Sequence, residues 1–294
     1  MATIPYPATQ VNVNISWRYR YRNLPYYAIL LLWSLFTIYI FVWLVLSSFK
    51  TNLEVLSSPW ALPADPIGAA ITNYSKAWNV VHMGTYFTNS LMVTVASVAL
   101  VVFVSAPAAY VLSRVNFTGV TPLTYYFLAG MGLPFQLILV PLYVLLSRMH
   151  LADTLPGLSL VYIGVSIPFT ILLLTSFFRT LPTELEDAAA IDGCTESGIF
   201  FSVMLPLAGP GIFTAAMFNF VGMWQEFLLA MLIINTDALK TLPIGVMSIR
   251  YTMQYTSDFS ALFAAVVIVI IPTFIVYLLL SERVMSGLTL GSER

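Results

Sequence analysis

The stretch TELEDAAAIDGCTES, residues 183–197, carries Glu184, Glu186, Asp187, Asp192 and Glu196, five of the 13 acidic residues in the chain. No Lys or Arg lies between Arg179 and Lys240, so these acids have no basic partner nearby in sequence. Carboxylates gathered without cations either meet a basic surface on another molecule or stand in water. A second set is sparser. Asn89, Gln136, Asn219, Trp224, Gln225 and Glu226 fall inside otherwise apolar runs. Amides, a carboxylate and an indole face are groups that hold a hydroxylated solute. The same groups also hydrogen-bond helix to helix, each contact contributing about 0.6–2 kcal/mol. Glu226 is the one acid placed well inside such a run, and an ionisable group there is a functional hypothesis by default. Residue types and spacing exclude other chemistry. His82 and His150 are far apart and have no ligand spacing, so no metal site is expected. Cys194 is the single cysteine, which rules out an intrachain disulfide. H-E-x-x-H and G-x-S-x-G are absent, so no enzyme is expected, and no Gly-Lys pair exists to build a phosphate-binding loop.

Both sets must be positioned by a chain that is 59% hydrophobic and 9% charged, with a mean hydropathy of +0.89. Soluble domains carry roughly 25% charged residues, so this is an integral membrane protein. A net charge of -1 gives no basic field for nucleic acid. A helix crosses the hydrocarbon core in about 20 apolar residues, and six runs qualify: about 25–48, 86–112, 122–147, 158–178, 206–234 and 261–281. All six are expected to be helical, because lipid offers backbone groups no partner. Pro107, Pro134, Pro141, Pro168, Pro210 and Pro272 mark kinks or interruptions within them. The first run follows 23 polar to mixed residues. Its length, and the lack of a small-x-small cleavage site, indicate a retained span rather than a signal peptide. Six spans put both termini on one side. Arg18, Arg20, Arg22, Arg114, Arg179, Arg283 and Arg294 fall on that side, against Lys50, Lys76, Arg148, Lys240 and Arg250 on the other. The positive-inside rule makes the first side cytoplasmic. The acidic stretch is then cytoplasmic. The outward loops are roughly 49–85, 148–157 and 235–260. The last holds Tyr251, Met253, Tyr255 and Asp258, which suit a protein-docking surface and a membrane-interface belt equally.

Within the acidic stretch, Thr183 with Glu186 three residues on reads as a capping box, and Pro182 before it is tolerated. Ala188, Ala189 and Ala190 favour helix. Gly193 is suited to the left-handed stop. Thr195 and Glu196 can open a second short helix towards Leu205. Leu181, Leu185, Ala188, Ala189 and Asp192 fall on or near one face, rimmed by Glu184, Glu186 and Asp187. Such a face suits docking into a groove with basic edges. A solvated connector between two spans is the other reading.

The motifs "DAAAIDG" (187–193) and "LPLAGP" (205–210) together resemble the E-A-A-x-x-x-G signature and following Leu-Pro of ABC importer inner-membrane permeases, nearest to the maltose-type carbohydrate family. Asp187 stands where that family has glutamate, and Cys194 where alanine is frequent. The segments "FTNSLMVT" (87–94), "AAYVLSRVNFTG" (108–119), "LPFQLILVPLYVLLSRMHLADTLPGLSLVY" (133–162), "WQEF" (224–227) and "GLTLGSER" (287–294) extend the resemblance over all but about the first 23 residues. The resemblance implies an all-α polytopic membrane protein with six transmembrane helices and a cytoplasmic coupling helix–turn–helix. Residues 1–24 would be a cytoplasmic N-terminal segment and 25–283 the permease domain, with its coupling loop at about 180–205. Residues 284–294 would be a cytoplasmic tail. It further implies a multi-pass protein of a bacterial or archaeal inner membrane. Its partners would be a second permease, two cytoplasmic ATPase subunits and an extracytoplasmic binding protein that delivers the solute, a sugar. ATP and magnesium would bind the ATPases, and this chain would hold no cofactor. Glu184, Leu185, Glu186, Asp187, Ala188, Ala189, Asp192 and Gly193 would form the ATPase interface. Glycerol phosphate is a competing solute, but no basic residue sits well inside a span to meet it. An ion-coupled carrier is a further alternative, set against a single candidate acid and no visible repeat.

Overall fold

The computed structural model describes residues 24–132, 134–248 and 258–289, with only the backbone course given for 279–289. Arg18, Arg20, Arg22, Arg250, Tyr251, Met253, Tyr255 and the tail from 290 onwards lie outside the described residues, as does the side chain of Arg283. The described residues form helices and turns, with no strand among them. In order these are α1 (Leu24–Ser48), α2 (Asn52–Ser57), α3 (Pro66–Ser75), α4 (Met83–Arg114), α5 (Val120–Gly132), α6 (Leu139–Arg148), α7 (Leu155–Phe178) and α8 (Glu184–Ile191). Then come α9 (Glu196–Leu207), α10 (Gly209–Trp224), α11 (Leu228–Ile233), α12 (residues 242–248) and α13 (Phe259–Thr289).

Helices α1, α4, α7 and α13 are each long and apolar enough to cross a membrane. Two bent pairs pass the same test jointly. Helix α5 meets the segment Phe135–Arg148 at 87°, and α9 meets α10 at 71°. The first bend falls at Pro134, which has no N–H to donate and disfavours helix in the residue before it. The second falls at Ala208–Gly209–Pro210, where the proline sits at the start of α10. Pro107, Pro168 and Pro272 stay within continuous helices. The run 206–234, expected as one span, is divided. It begins in the end of α9, breaks at Gln225–Phe227 and resumes as α11. The break has a cause in the side chains: the Glu226 carboxylate accepts the amides of Leu229 and Ala230 and so starts a new helix.

Helices α4 and α7 pack along each other and form the frame. Around them lie three apolar clusters, one of which (Ala106, Ala109, Leu174, Phe178, Ile199, Phe200, Met204) joins the ends of both helices to α9. Helix α1 fully buries only Ser47 and Ser48; Trp43 near its end packs edge to face on Phe263 of α13, and most of its other apolar side chains are exposed. The loop after it is structured. Thr51 and Glu54 make a complete capping box for α2, and Ala64 N–H adds a bond to the same carboxylate at 2.9 Å. Those backbone donors hold the Glu54 carboxyl below its usual value. Asn73 on α3 donates to the carbonyls of Ser48 and Lys50 at the end of α1. Asp258 does not serve as a free docking residue. It accepts from Ala261 N–H and Ser260 Oγ at the start of α13 and pairs with Lys76 at 3.1 Å.

Asp153 fastens two loops. It sits in the left-handed region at φ 56°, and its carboxylate accepts from Asn235 N–H (2.8 Å), Thr236 N–H (2.9 Å) and Thr236 Oγ1 (2.6 Å). The Thr236 hydroxyl, followed by the two amides, holds the carboxyl below its usual value. The stability it contributes is therefore complete above the unfolded value of about 3.9 and is lost as pH falls through the lower folded value. Asp153→Asn keeps a residue tolerant of positive φ and removes the charge together with one of the two acceptor oxygens. The variant is expected to melt below wild type at neutral pH, with the gap narrowing as pH falls from about 5 to below 3. A gap that widens on acidification contradicts this role.

Candidate functional site

Helix α8 begins without the cap its sequence suggests. Thr183 has helical angles (φ −71°, ψ −27°) and its hydroxyl makes no capping bond. The reason is a competing charge. Glu186, half of the expected box, turns inward to Arg114 at the end of α4, with Oε1 3.6 Å from Nε. The two side chains are only 10% (Arg114) and 18% (Glu186) exposed. Arg114 Nη2 donates to the carbonyls of Phe178 (2.8 Å) and Leu181 (2.6 Å). The Tyr110 hydroxyl also lies beside the carboxylate. The expectation that these acids lack an internal partner fails for Glu186.

At its other end α8 closes as its sequence suggests. Gly193 takes φ +84°. Its N–H reaches the Ala190 carbonyl, and Cys194 N–H reaches that of Ala189, each at 3.0 Å. Thr195 then caps α9 through Gly198 N–H at 3.2 Å. Ala189 is buried against the cluster with Phe200, and Leu181 packs there too, so neither belongs to an outward stripe. Glu184, Leu185, Asp187, Ala188, Asp192 and Gly193 are exposed. Ile191, 86% exposed, joins Leu185 and Ala188 as the apolar part of that surface. The sequence reading missed both Ile191 and Arg114. The first was legible as a large apolar residue set between Ala190 and Asp192. The second pairs across distant helices and leaves no local signal.

The second polar set is scattered by the fold. A cleft of ≈ 290 Å³ between α7 and α10 is lined by Tyr162, Ser166, Phe169, Phe218, Asn219 and Glu226, with Phe135 from the broken pair. Glu226 Oε2 accepts from Tyr162 at 3.0 Å and from Ala230 N–H, while Oε1 accepts from Leu229 N–H at 2.8 Å. Asn219 donates to Thr170 Oγ1 and the Ala215 carbonyl, both at 2.8 Å. Phe169 and Phe218 meet edge to face nearby. Gln136 is exposed at the break beside Phe135. The other three are elsewhere. Asn89 is buried and donates to the carbonyls of Ala238 and Lys240. Gln225 is exposed and reaches Thr273 at 3.4 Å. Trp224 is 1% exposed, stacked on Phe220, with Nε1 donating to the Val269 carbonyl. Trp224 is therefore corrected from a pathway residue to a core residue. A larger opening of ≈ 1010 Å³ between α1 and α13 has an almost wholly apolar lining, its side-chain polar groups being the hydroxyls of Ser34, Thr37 and Tyr277 and the Trp33 indole N–H.

Residues 102–285 match the family described as the binding-protein-dependent transport system inner membrane component. A diacetylchitobiose uptake system permease protein of Streptomyces coelicolor is 40% identical over 91% of this chain and 88% of its own length. A sulfoquinovosyl glycerol transport system permease protein of Agrobacterium fabrum is 36% identical over 85% and 86%. A probable starch degradation products transport system permease protein of Thermoanaerobacterium thermosulfurigenes is 30% identical over 89% and 93%. Among solved structures, a chain of a bacterial ABC transporter involved in import of the acidic polysaccharide alginate superposes with a TM-score of 0.79 at 20% identity, covering 91% of this chain and 98% of that one. That likeness concerns the fold.

The placement of neighbouring residues 224 and 225 yields a direct check. Trp224→Ala is expected to lower stability by about 3–5 kcal/mol, whereas Gln225→Ala changes it by less than about 0.5 kcal/mol. Thermal unfolding of the detergent-solubilised protein compares the two, and equal losses would put the indole outside the core.

Proposed function

The chain belongs to the family of binding-protein-dependent transport system inner membrane components, and from that membership we propose that it forms half of a translocation pathway for a sugar, driven by ATPase subunits on another chain. A second permease supplies the other half, and an extracytoplasmic binding protein delivers the solute. In this reading the two bent pairs each count as one span, giving six with α1, α4, α7 and α13, and both termini and α8 face the cytoplasm. The balance of basic residues supports that orientation.

The observation that carries the proposal is α8 itself. It is an exposed helix whose outer surface combines Leu185, Ala188 and Ile191 with Glu184 and Asp187, and whose inner surface is seated on the ends of the frame helices. This surface suits a cleft with basic edges on an ATPase. Glu184 and Asp187 would provide the charge, Ala188 the close approach and Gly193 the turn. Glu186 and Ala189 face inward and drop out of the contact. For the solute, Asn219 and Glu226 supply polar groups beside the rings of Phe169 and Phe218, with Gln136 near the break. No Lys or Arg lines that cleft, which supports an uncharged sugar over glycerol phosphate. The diacetylchitobiose and starch-product relatives point the same way.

The test uses the whole transporter reconstituted with its partner permease, ATPase and binding protein. Asp187→Lys reverses charge on the outer surface. At Gly193 a Cβ would meet nothing within 4 Å, so within this chain Gly193→Leu strains the backbone at φ +84° without a Cβ clash. Each variant is expected to insert normally and to lose solute uptake by at least about tenfold. Wild-type uptake by both, in fully assembled complexes, would falsify the docking assignment. Transport by this chain alone without ATP would overturn the importer reading altogether.

A further inference from the structure

Arg114 occupies a position that neither the docking surface nor the cleft explains. It is the last residue of α4, one of the two frame helices. One guanidinium nitrogen holds the carbonyls of Phe178 and Leu181, where α7 ends and the chain turns towards α8. Another, Nε, faces the Glu186 carboxylate on α8 itself. Three segments thus converge on one planar cation: the end of α4, the end of α7 and the first turn of α8.

The contact with Glu186 is of a particular kind. At 3.6 Å it is longer than a hydrogen bond. Arg114 Nε and Glu186 Oε1 are both buried, and neither has a hydrogen-bond partner. Charge attraction rather than a hydrogen bond therefore joins them. Two buried opposite charges cannot be drawn apart cheaply, because each would be left without compensation. The surroundings reinforce this. Tyr110, one turn before Arg114 on α4, packs edge to face on Phe178 at 5.6 Å and against Phe200 of α9 at 5.1 Å. The other nearby acid, Glu196, is exposed to water. Displacing α8 outward would separate the pair and lift Ala189 from the apolar cluster that holds Phe178 and Phe200.

We infer that Arg114 is the positioning residue through which movement of α8 reaches the spanning helices, the Arg114–Glu186 pair acting as an internal latch rather than as part of the ATPase contact. The inference rests on the proposed docking role of α8 and adds the route by which a pull on it is delivered to α4 and α7. Lys cannot replace Arg here in full. A single ammonium lacks the planar fork that meets two carbonyls and a carboxylate in different directions.

The test measures uptake per ATP hydrolysed in the reconstituted transporter for Arg114→Met, Arg114→Lys, Glu186→Gln and the double variant Arg114→Met/Glu186→Gln, with Asp187→Lys alongside. Arg114→Met is expected to keep ATP hydrolysis near wild type while uptake per ATP falls about tenfold. Arg114→Lys should be intermediate. The double variant should be no worse than Arg114→Met alone, because both changes break one contact. Where Arg114→Met does not assemble, Glu186→Gln decides, since it removes the charge and keeps the shape. Unchanged uptake per ATP in an assembled variant overturns the latch. So does a parallel fall of hydrolysis and uptake with additive effects, which marks a merely structural residue. Loss of coupling in Asp187→Lys but not in the latch variants removes this inference and leaves the docking reading intact. Normal coupling in Asp187→Lys removes the docking reading itself.

Discussion

Lipid offers no partner to a peptide group, so every helix end that this chain leaves inside or beside the apolar layer has to be satisfied from within. The structure meets that constraint repeatedly with single polar side chains. Asn73 takes the carbonyls of Ser48 and Lys50 after α1, and Lys50 takes those of Ser58 and Pro59. Asn89 takes two carbonyls in the loop before α12, and Ser90 accepts the Leu242 amide. Glu226 accepts the first free amides of α11, and Arg114 donates to the carbonyls of Phe178, the last residue of α7, and of Leu181 just beyond it. A polar residue in so apolar a chain is therefore first of all a repair to the backbone. This is why most of the polar side chains inside the spans are turned towards main chain rather than towards a passage.

The same constraint explains how one tetrapeptide pattern behaves in two ways. Thr51–Glu54 and Thr183–Glu186 both read T-x-x-E, yet only the first closes as a capping box. A helix cap contributes about 0.5–2 kcal/mol. Leaving a buried guanidinium without a counter-charge costs about 3–5 kcal/mol. Where a cation lies within reach, as Arg114 does for Glu186, the larger effect wins and the cap is given up. The cation near Glu54, Lys50, donates to the carbonyls of Ser58 and Pro59, and Glu54 stays with its helix. The acidic stretch is thereby divided by position. Glu186 belongs to the frame, and its neighbours Glu184 and Asp187 remain on the open side.

That division marks the limit of what a linear reading can see. Features decided within a few residues were legible: apolar runs of spanning length at α1, α4 and α7, the bend at Pro134, and the left-handed stop at Gly193. Features decided across the fold were not. Trp224 and Gln225 are adjacent in a motif, but the helix ends between them, and one packs into the core while the other is exposed at the break. Nothing in WQEF announces which faces inward until Phe87 and Phe220 pack on the indole. The break at Gln225–Phe227 is hidden for a related reason. Hydropathy over 206–234 stays high throughout, and a single carboxylate that starts a new helix barely lowers it.

The cleft shows that a scaffold role does not exclude a pathway role. A carboxyl group carries two oxygens with several lone pairs between them, and Glu226 accepts three bonds, from Tyr162, Leu229 and Ala230. Those bonds fix its orientation, and the group still lines the cleft. In the proposed pathway role, a solute hydroxyl would add a bond to this carboxyl without undoing the helix start. An anionic solute finds there a carboxylate and no cation to offset it. Backbone repair, imposed by the bilayer, thus places an oriented acceptor beside two aromatic rings, an arrangement that suits the hydroxylated solute proposed for this cleft.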